Sequence, residues 1–454
     1  MPLKIDKTLK PQALRGKIGR LFELSAGKII ELERGWPEAK GTPVFTVKGK
    51  YTTRGWTEWT QGFQVGSSFL QFDATGDPQF LALGRRKTVE LMASHVSHVG
   101  VHDHGFNNVS TYGNLWRLIR EGKIPTDQRE VDFCELALKT SGAIQAARWT
   151  PINNGDGYIY SFNGPHSLFI DTMRSLRSLA LAHQLGHLLM AERDARISLL
   201  ERLIQHARTT ATFAIYYGKE RDAYDARGRT AHESIFNIND GNYRCPNSQQ
   251  GYSPFSTWTR GLAWAICGFA EQLEFLWSRP EEEFGERGGR KAVTKFILEG
   301  AIATADFYIE NSCTCGVPMW DTGAPNLHRL DGYLEKPANP FNEWEPVDSS
   351  AAAIAAQGLL RLGRALGAKG RYDYRAAGLT VLSTLLQEPY LATSTKHQGL
   401  LLHSIYHRPN GWDYIQKGQK VPNGESSMWG DYHLREAALM VWKETQGEPC
   451  LTFF

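Results

Sequence analysis

Two aspartates stand out by their neighbours. Asp103 lies in the stretch His-Asp-His-Gly-Phe at 102–106, just before a predicted helix, and Asp171 follows Phe169 and Ile170 at the start of another. N-terminal capping alone would explain Asp103, because Asp is a common N-cap. For Asp171, desolvation among large apolar side chains predicts a raised pKa, as a general acid near neutral pH requires. Taken as a pair, the two carboxylates predict acid–base chemistry.

A cluster of aromatic and basic residues predicts a ligand pocket. Trp258, Arg260 and Trp264 fall within two helical turns. An arginine beside aromatic surface suits a planar carboxylate next to a stacked ring, and the small Gly261 predicts an inward-pointing Arg260. Trp59, beside a helix entry, is a further candidate for stacking on a sugar ring. Its neighbour Trp56 fits the core equally well.

Four more polar residues are candidates for ligand contact. They are His232, Gln250, Ser349 and Ser350. The two serines follow Asp348, so the motif Asp-Ser-Ser is first a helix cap, with hydroxyls that could also reach a ligand. Asp431, at the start of the last predicted helix, is interpreted as structural.

Metal-binding patterns are weak. His183 and His187 have a metal-compatible i, i+4 spacing, but Gln184 stands where the zinc-protease motif has its Glu. Cys313 and Cys315 are closer than usual zinc ligands. We therefore predict no metal site.

The elements that carry these residues are predicted to be helices. Apolar residues recur with helical period near 12–33, 60–74, 79–97, 105–121, 128–144, 168–185, 190–217, 255–279, 290–311, 347–364, 371–387 and 427–446. The unusual residues cluster at the starts of alternate helices, near 60, 105, 168, 255, 347 and 427. Six inner and six outer helices would bring these clusters to one mouth, as a concave binding site requires.

The connections indicate one domain. The longest insertions, about 145–167, 218–254 and 312–346, are rich in Gly, Asn and Pro, and loops of this length usually cover a site. No linker divides the chain. We predict a single all-α domain over residues 1–454.

The composition excludes several partners. With 41% hydrophobic and 22% charged residues the chain is ordinary for a globular protein, and its 13 Trp suit stacking surfaces. A net charge of +3 leaves no basic face for nucleic acid. No apolar run reaches the roughly 18 residues that span a bilayer, and the start of the chain lacks signal-peptide features. We therefore expect no nucleic acid or membrane partner and a cytoplasmic location.

An ordered set of motifs resembles the unsaturated glucuronyl hydrolases of glycoside hydrolase family 88 and, more loosely, the unsaturated rhamnogalacturonyl hydrolases of family 105. The motifs are Trp-Thr-Gln-Gly-Phe at 59–63, His-Asp-x-Gly-Phe at 102–106, Ile-Asp at 170–171, His232, Gln-Gly-Tyr at 250–252, Trp-x-Arg-Gly-x-Ala-Trp at 258–264, Asp-Ser-Ser-Ala at 348–351 and Gly-Asp-Tyr at 430–432. They run in order through most of the chain. The basic segment after Asp171 departs from the pattern of that family.

The resemblance implies an (α/α)6 barrel that removes a Δ4,5-unsaturated uronic acid from the non-reducing end of an acidic oligosaccharide. We expect the protein to be a monomer or a small homo-oligomer. Asp171 would protonate C4 of the vinyl ether, water would add at C5, and the resulting hemiketal would expel the aglycone. Asp103 would be its partner carboxylate, and the reaction would need no metal or organic cofactor. The polar and Trp candidates would line the pocket.

The sequence leaves three other functions open. A β-glucuronidase on saturated uronides would use the carboxylates in ordinary acetal hydrolysis. An (α/α)-toroid polysaccharide lyase could use Tyr252 and His232 as proton donor and base. A carbohydrate-binding protein would bind the sugar without turnover.

Overall fold

The computed structural model describes residues 2–55 and 58–454, apart from the side chains of Glu38, Glu58 and Glu286. Helices dominate these residues. They are α1 (Pro11–Gly35), α2 (Gln61–Thr75), α3 (Pro78–Leu91), α4 (Ala93–Val96), α5 (His104–Asn108), α6 (Asn114–Arg120), α7 (Gln128–Ala147), α8 (Thr172–Ser175), α9 (Arg177–Gln184), α10 (Leu199–Phe213), α11 (Thr259–Ser278), α12 (Gly289–Asn311), α13 (Ser349–Leu366), α14 (Tyr374–Leu385) and α15 (Met428–Thr445). A π-helical turn, Val109–Gly113, joins α5 to α6.

The strands are short and lie in the connections. They are β1 (Phe45–Val47), β2 (Lys50–Thr52), β3 (Trp149–Pro151), β4 (Gly157–Ile159), β5 (Ser167–Phe169), β6 (Leu189–Met190), β7 (Arg196–Ile197), β8 (Glu233–Phe236) and β9 (Tyr243–Asn247). The three-stranded antiparallel sheet β5-β8-β9 places Phe169 opposite Glu233. This pairing brings the chain before Asp171 beside the chain after His232.

The inner helices close a ring. Each packs on the next in the order α2, α5–α6, α8–α9, α11, α13, α15, and α15 packs back on α2. The outer helices α1, α3, α7, α10, α12 and α14 cover this ring. The predicted arrangement of six inner and six outer helices is therefore observed. The buried apolar side chains form one continuous cluster from Leu3 to Phe453.

Local sequence signals set several helix ends. Gly76 adopts a left-handed conformation with φ of 70° after α2, and Asp77 caps α3 by accepting from the Gln79 N–H. Asp348 caps α13 as predicted, through the Ser350 and Ala351 N–H groups. The predicted helix at 190–217 is wrong at its start, because β6 and β7 form a hairpin there and α10 begins at Leu199.

A buried ion network lies inside the ring. Arg174 of α8 pairs with Glu271 of α11 and, at 2.9 Å, with Glu436 of α15. Arg177 of α9 lies 3.7 Å from Glu436, and Arg361 of α13 lies 3.6 Å from Glu271. The basic segment after Asp171 thus has a structural cause, because its arginines tie the inner helices together.

Among the described residues, no helix combines the length and the apolarity that crossing a bilayer would demand.

Candidate functional site

A cavity opens at the end of the ring where the inner helices begin. Its lining residues come from six segments of the chain: Trp59, Val101, His102, Asp103, Phe106, Phe162, Asp171, Gln249, Gln250, Trp258, Arg260, Trp264, Tyr406, His407 and Trp412. The structure therefore brings together seven of the predicted site residues, both carboxylates included. Trp56 lies outside the described residues.

Close packing of α5 on α8 brings the two carboxylates to one wall. Asp103 precedes α5 and Asp171 precedes α8. A side chain at Gly105 would collide with the backbone of Ser175, so only glycine permits this approach. The Gly105 N–H donates to Ser175 Oγ at 2.9 Å, and this hydroxyl donates to the carbonyl oxygen of His102 at 2.6 Å.

Gly105→Ala should therefore disturb the site and the fold together. We expect a loss of about 1–3 kcal/mol in the free energy of unfolding, because the helices must separate to admit a methyl group. Chemical denaturation measures the change. The control is Gly16→Ala on the exposed face of α1, where nothing lies within 4 Å of the added methyl group and the helix gains stability. Equal stability of Gly105→Ala and wild type would refute the packing argument.

Neither aspartate caps its helix with its side chain. The prediction that capping could explain Asp103 is wrong, because its carboxylate makes no bond to the first-turn N–H groups. Instead, His102 Nε2 lies 3.1 Å from Asp171 Oδ1 and 3.8 Å from Asp103 Oδ1. These two oxygens are consequently less than about 7 Å apart, a separation at which paired carboxylates can work on one sugar ring.

The pKa values of the pair diverge. Burial raises the pKa of Asp103, and the neighbouring charge of Asp171 adds to this against the opposing effect of His102. Burial also acts to raise the pKa of Asp171, but the charge and hydrogen bond of His102 outweigh it and leave that pKa lowered. The predicted rise at Asp171 is therefore wrong, because a histidine hidden from the local sequence lies against it.

His232 lies behind this wall. Burial lowers the pKa of His232 to about 3, so its ring is neutral. Nδ1 accepts from the N–H groups of Gln249 and Gln250, at 3.0 and 3.3 Å, which leaves the hydrogen on Nε2. Within the described part of the chain, Nε2 is buried and has no hydrogen-bond partner. His232 does not line the cavity itself and instead positions Gln250, which does.

Arg260 points inward, as predicted, and is 1% exposed. Its Nη1 donates to Asp348 at 3.0 Å and to the Ile405 carbonyl, and its Nη2 donates to Gln250 Oε1 at 2.9 Å and to the Tyr406 carbonyl at 2.7 Å. Its guanidinium carbon lies 4.5 Å from the Trp258 ring centroid. Arg260 thus joins α11, α13 and the 402–413 segment into one wall of the cavity.

Aromatic rings form much of the remaining lining. Trp59 stacks on Trp429, with centroids 5.1 Å apart, and is only partly buried. Trp264 packs on Phe106 at 4.9 Å. Such flat apolar surfaces beside carboxylates and an arginine suit a sugar ring that carries charge.

Ser349 and Ser350 are not brought to the cavity lining. Ser349 Oγ donates to the Leu402 carbonyl at 2.6 Å. Ser350 Oγ donates to Asp348 at 2.6 Å and accepts from Trp429 Nε1 at 3.0 Å. These hydroxyls position the wall that contains Arg260. Asp431 is structural, as interpreted, because it accepts from Tyr51 Oη and two backbone N–H groups.

One wall of the cavity was not predicted from the sequence. Tyr406, His407 and Trp412 belong to the connection between α14 and α15, which has no regular pattern of apolar residues. Asp413 fixes this segment by accepting from the N–H groups of Tyr406 and His407. The carbonyls that Arg260 contacts are in the same segment, so only the folded chain reveals its proximity.

Comparisons with known proteins identify relatives. No family profile matches the chain. It is 25% identical over 382 residues to an unsaturated glucuronyl hydrolase of Formosa agariphila, covering 84% of this chain and 79% of that protein. It is 24% identical over 405 residues to an unsaturated chondroitin disaccharide hydrolase of Streptococcus pyogenes serotype M1, covering 88% and 85%.

A solved structure is similar over nearly the whole chain. The crystal structure of an unsaturated glucuronyl hydrolase from Streptococcus agalactiae matches with a TM-score of 0.68 at 19% identity, and the match covers 98% of each chain. This likeness shows the fold and confirms the predicted (α/α)6 barrel. In sequence and in fold, the chain is a relative of the unsaturated glucuronyl hydrolases, the family that its motifs resemble.

Proposed function

We propose that this protein is a glycoside hydrolase that removes a Δ4,5-unsaturated uronic acid from the non-reducing end of oligosaccharides made by polysaccharide lyases. One observation carries the proposal: two buried carboxylates, Asp103 and Asp171, share one wall of an aromatic-lined cavity. The named activities of the chain's relatives support the same chemistry.

The residues on the carboxylate wall would carry the reaction. Asp171 acts as the acid and base: it gives a proton to C4 of the vinyl ether and receives one from the water that adds at C5. Asp103 lies close enough to interact with the same sugar ring. The hemiketal formed at C5 then opens, and the aglycone leaves without direct attack at the anomeric carbon. These steps use general acid–base catalysis by a positioned side chain.

The remaining walls would bind the sugar. Arg260 lines the cavity and, together with His232, holds Gln250, which supplies an amide to the sugar. Trp59, Trp258 and Trp264 supply the stacking surfaces. Ser349 and Ser350 contribute by holding the wall of Arg260 in place. No metal or organic cofactor enters these steps.

The experiment follows the ultraviolet absorbance of the conjugated double bond with a panel of lyase-generated disaccharides, sulfated and unsulfated. We expect the absorbance to fall as the double bond is hydrated. In deuterium oxide, nuclear magnetic resonance of the first product should show deuterium at C4.

Each alternative activity gives a different result. A rise in absorbance on an intact polysaccharide would identify a lyase. Cleavage of a saturated glucuronide, with every unsaturated substrate left unchanged, would identify an ordinary β-glucuronidase. Binding of the disaccharides without any product would identify a carbohydrate-binding protein. Any of these three results would overturn the proposal.

A further inference from the structure

His102 is a third polar group on the carboxylate wall. Its side chain is 2% exposed, and it lines the cavity together with Asp103 and Asp171. The ring packs edge-on against Phe169, with centroids 5.6 Å apart. Gln145 and Ser175 both donate to its carbonyl oxygen, at 2.9 and 2.6 Å, so its backbone is fixed as well. The imidazole therefore has one defined position.

Both carboxylates lie at the same ring nitrogen. Nε2 is 3.1 Å from Asp171 and 3.8 Å from Asp103, whereas Nδ1 is buried without a hydrogen-bond partner among the described residues. A hydrogen on Nε2 can therefore interact with both carboxylates. Asp171, which the reaction needs as a proton donor, is held in its ionised form by this contact, so its proton must come from elsewhere in the free enzyme.

We infer that His102 holds the proton for the carboxylate pair, keeps Asp171 oriented until substrate binds, and passes to it the proton that ends on C4. This inference rests on the proposed function and deepens it. His102 acts through Asp171 and is therefore a positioning residue.

The proton transfers balance without a further reactant. The Nε2–H bond of His102 breaks as an O–H bond forms on Asp171, which leaves a neutral imidazole. That O–H bond then breaks as the electrons of the C4=C5 bond form C4–H. A water molecule donates its lone pair to C5, and its proton returns to Asp171 and then to His102.

The surrounding charges agree with this role. Burial lowers the pKa of His102, but Asp103 and Asp171 outweigh it and leave the pKa raised. The positive charge of the buried Arg148, at the end of α7, acts to lower the pKa of His102. Among the described residues, His98, His206 and His232 also lie near the cluster, and burial lowers the pKa of the latter two to about 3, so they carry no charge.

The first test needs no activity. Nitrogen NMR of the histidine-labelled protein, with His102→Gln to assign the signal, follows the titration of His102. We expect its pKa in wild type to lie above the ordinary value of about 6.5, and to fall in Asp171→Asn, which removes the stabilising charge. A His102 that is neutral in wild type, or is unmoved by Asp171→Asn, would refute the inference even if the enzyme is active.

The second test uses the pH profile. In wild type, kcat should decline on the alkaline side as the imidazolium is lost. In His102→Gln we expect kcat to fall by about 10²-fold with little change in KM, and this alkaline limb to disappear. The control is His183→Gln, which changes a partly exposed histidine that pairs with Glu283 outside the cavity and should keep the wild-type profile.

The two proposals fail in different ways. If wild type consumes no unsaturated uronate, the proposed function is wrong, and the NMR titration still decides the protonation of His102. If wild type is active and His102→Gln keeps its pH profile and its rate, the inference alone is wrong.

Discussion

Asp171→Asn should abolish turnover while substrate still binds. The amide keeps the shape of the carboxylate but can neither donate the proton to C4 nor accept one from water. Positioned acid–base groups contribute roughly 10²–10⁴-fold, so we expect kcat to fall by at least about a hundredfold. The measurement is the rate of absorbance loss on an unsaturated disaccharide, together with the affinity of the variant for that disaccharide by calorimetry.

A matched control separates chemistry from folding. Asp132 is an exposed aspartate of α7 whose carboxylate accepts from Gln128, so Asp132→Asn changes the same atoms far from the cavity. It should keep wild-type kcat and KM. If Asp171→Asn keeps more than about a tenth of wild-type kcat, Asp171 is not the acid, and the same assay on Asp103→Asn would show whether that carboxylate takes the role.

Much of the fold was predictable because its signals are local. Helical periodicity and capping motifs depend on residues within one or two turns, and they placed both rings of helices and the cap at Asp348. The start of α10 was not predicted because each strand of the β6–β7 hairpin before it is only two residues long. Such short strands leave no alternating pattern that periodicity can detect.

The candidate site was predictable only in part, because its electrostatics are long-range. Asp103 and Asp171 were predicted as acid–base residues from the sequence, and the structure brings both to one cavity. The sign of the pKa shift at Asp171 depends on His102, 69 residues away in the chain, which no local pattern connects to it. No local pattern connects Trp412 to the cavity either, because hydrogen bonds to distant residues such as Arg260 hold its segment there.

The buried ion network makes the ring sensitive to one charge. Glu436 of α15 is fully buried and pairs with Arg174 of α8, across the ring from its own helix. Glu436→Gln would remove a negative charge that compensates the buried positive charges of Arg174 and Arg177. Breaking a buried pair in this way lowers the free energy of unfolding by about 3–5 kcal/mol. Urea denaturation at neutral pH measures this loss. The control, Glu31→Gln, changes an exposed pair with Lys50 and should alter stability by less than about 0.5 kcal/mol.

The pH dependence of this loss has a defined sign. Burial acts to raise the pKa of Glu436, but Arg174 and Arg177 outweigh it and lower the pKa to about 2. Because the folded pKa lies below the ordinary value of 4.5, the ionised carboxylate stabilises the fold above pH 4.5, and this contribution is lost as the pH falls toward 2. The stability difference between wild type and Glu436→Gln should therefore shrink over that interval. A difference that stays constant from neutral pH to pH 3 would mean that the charge of Glu436 does not hold the inner helices together.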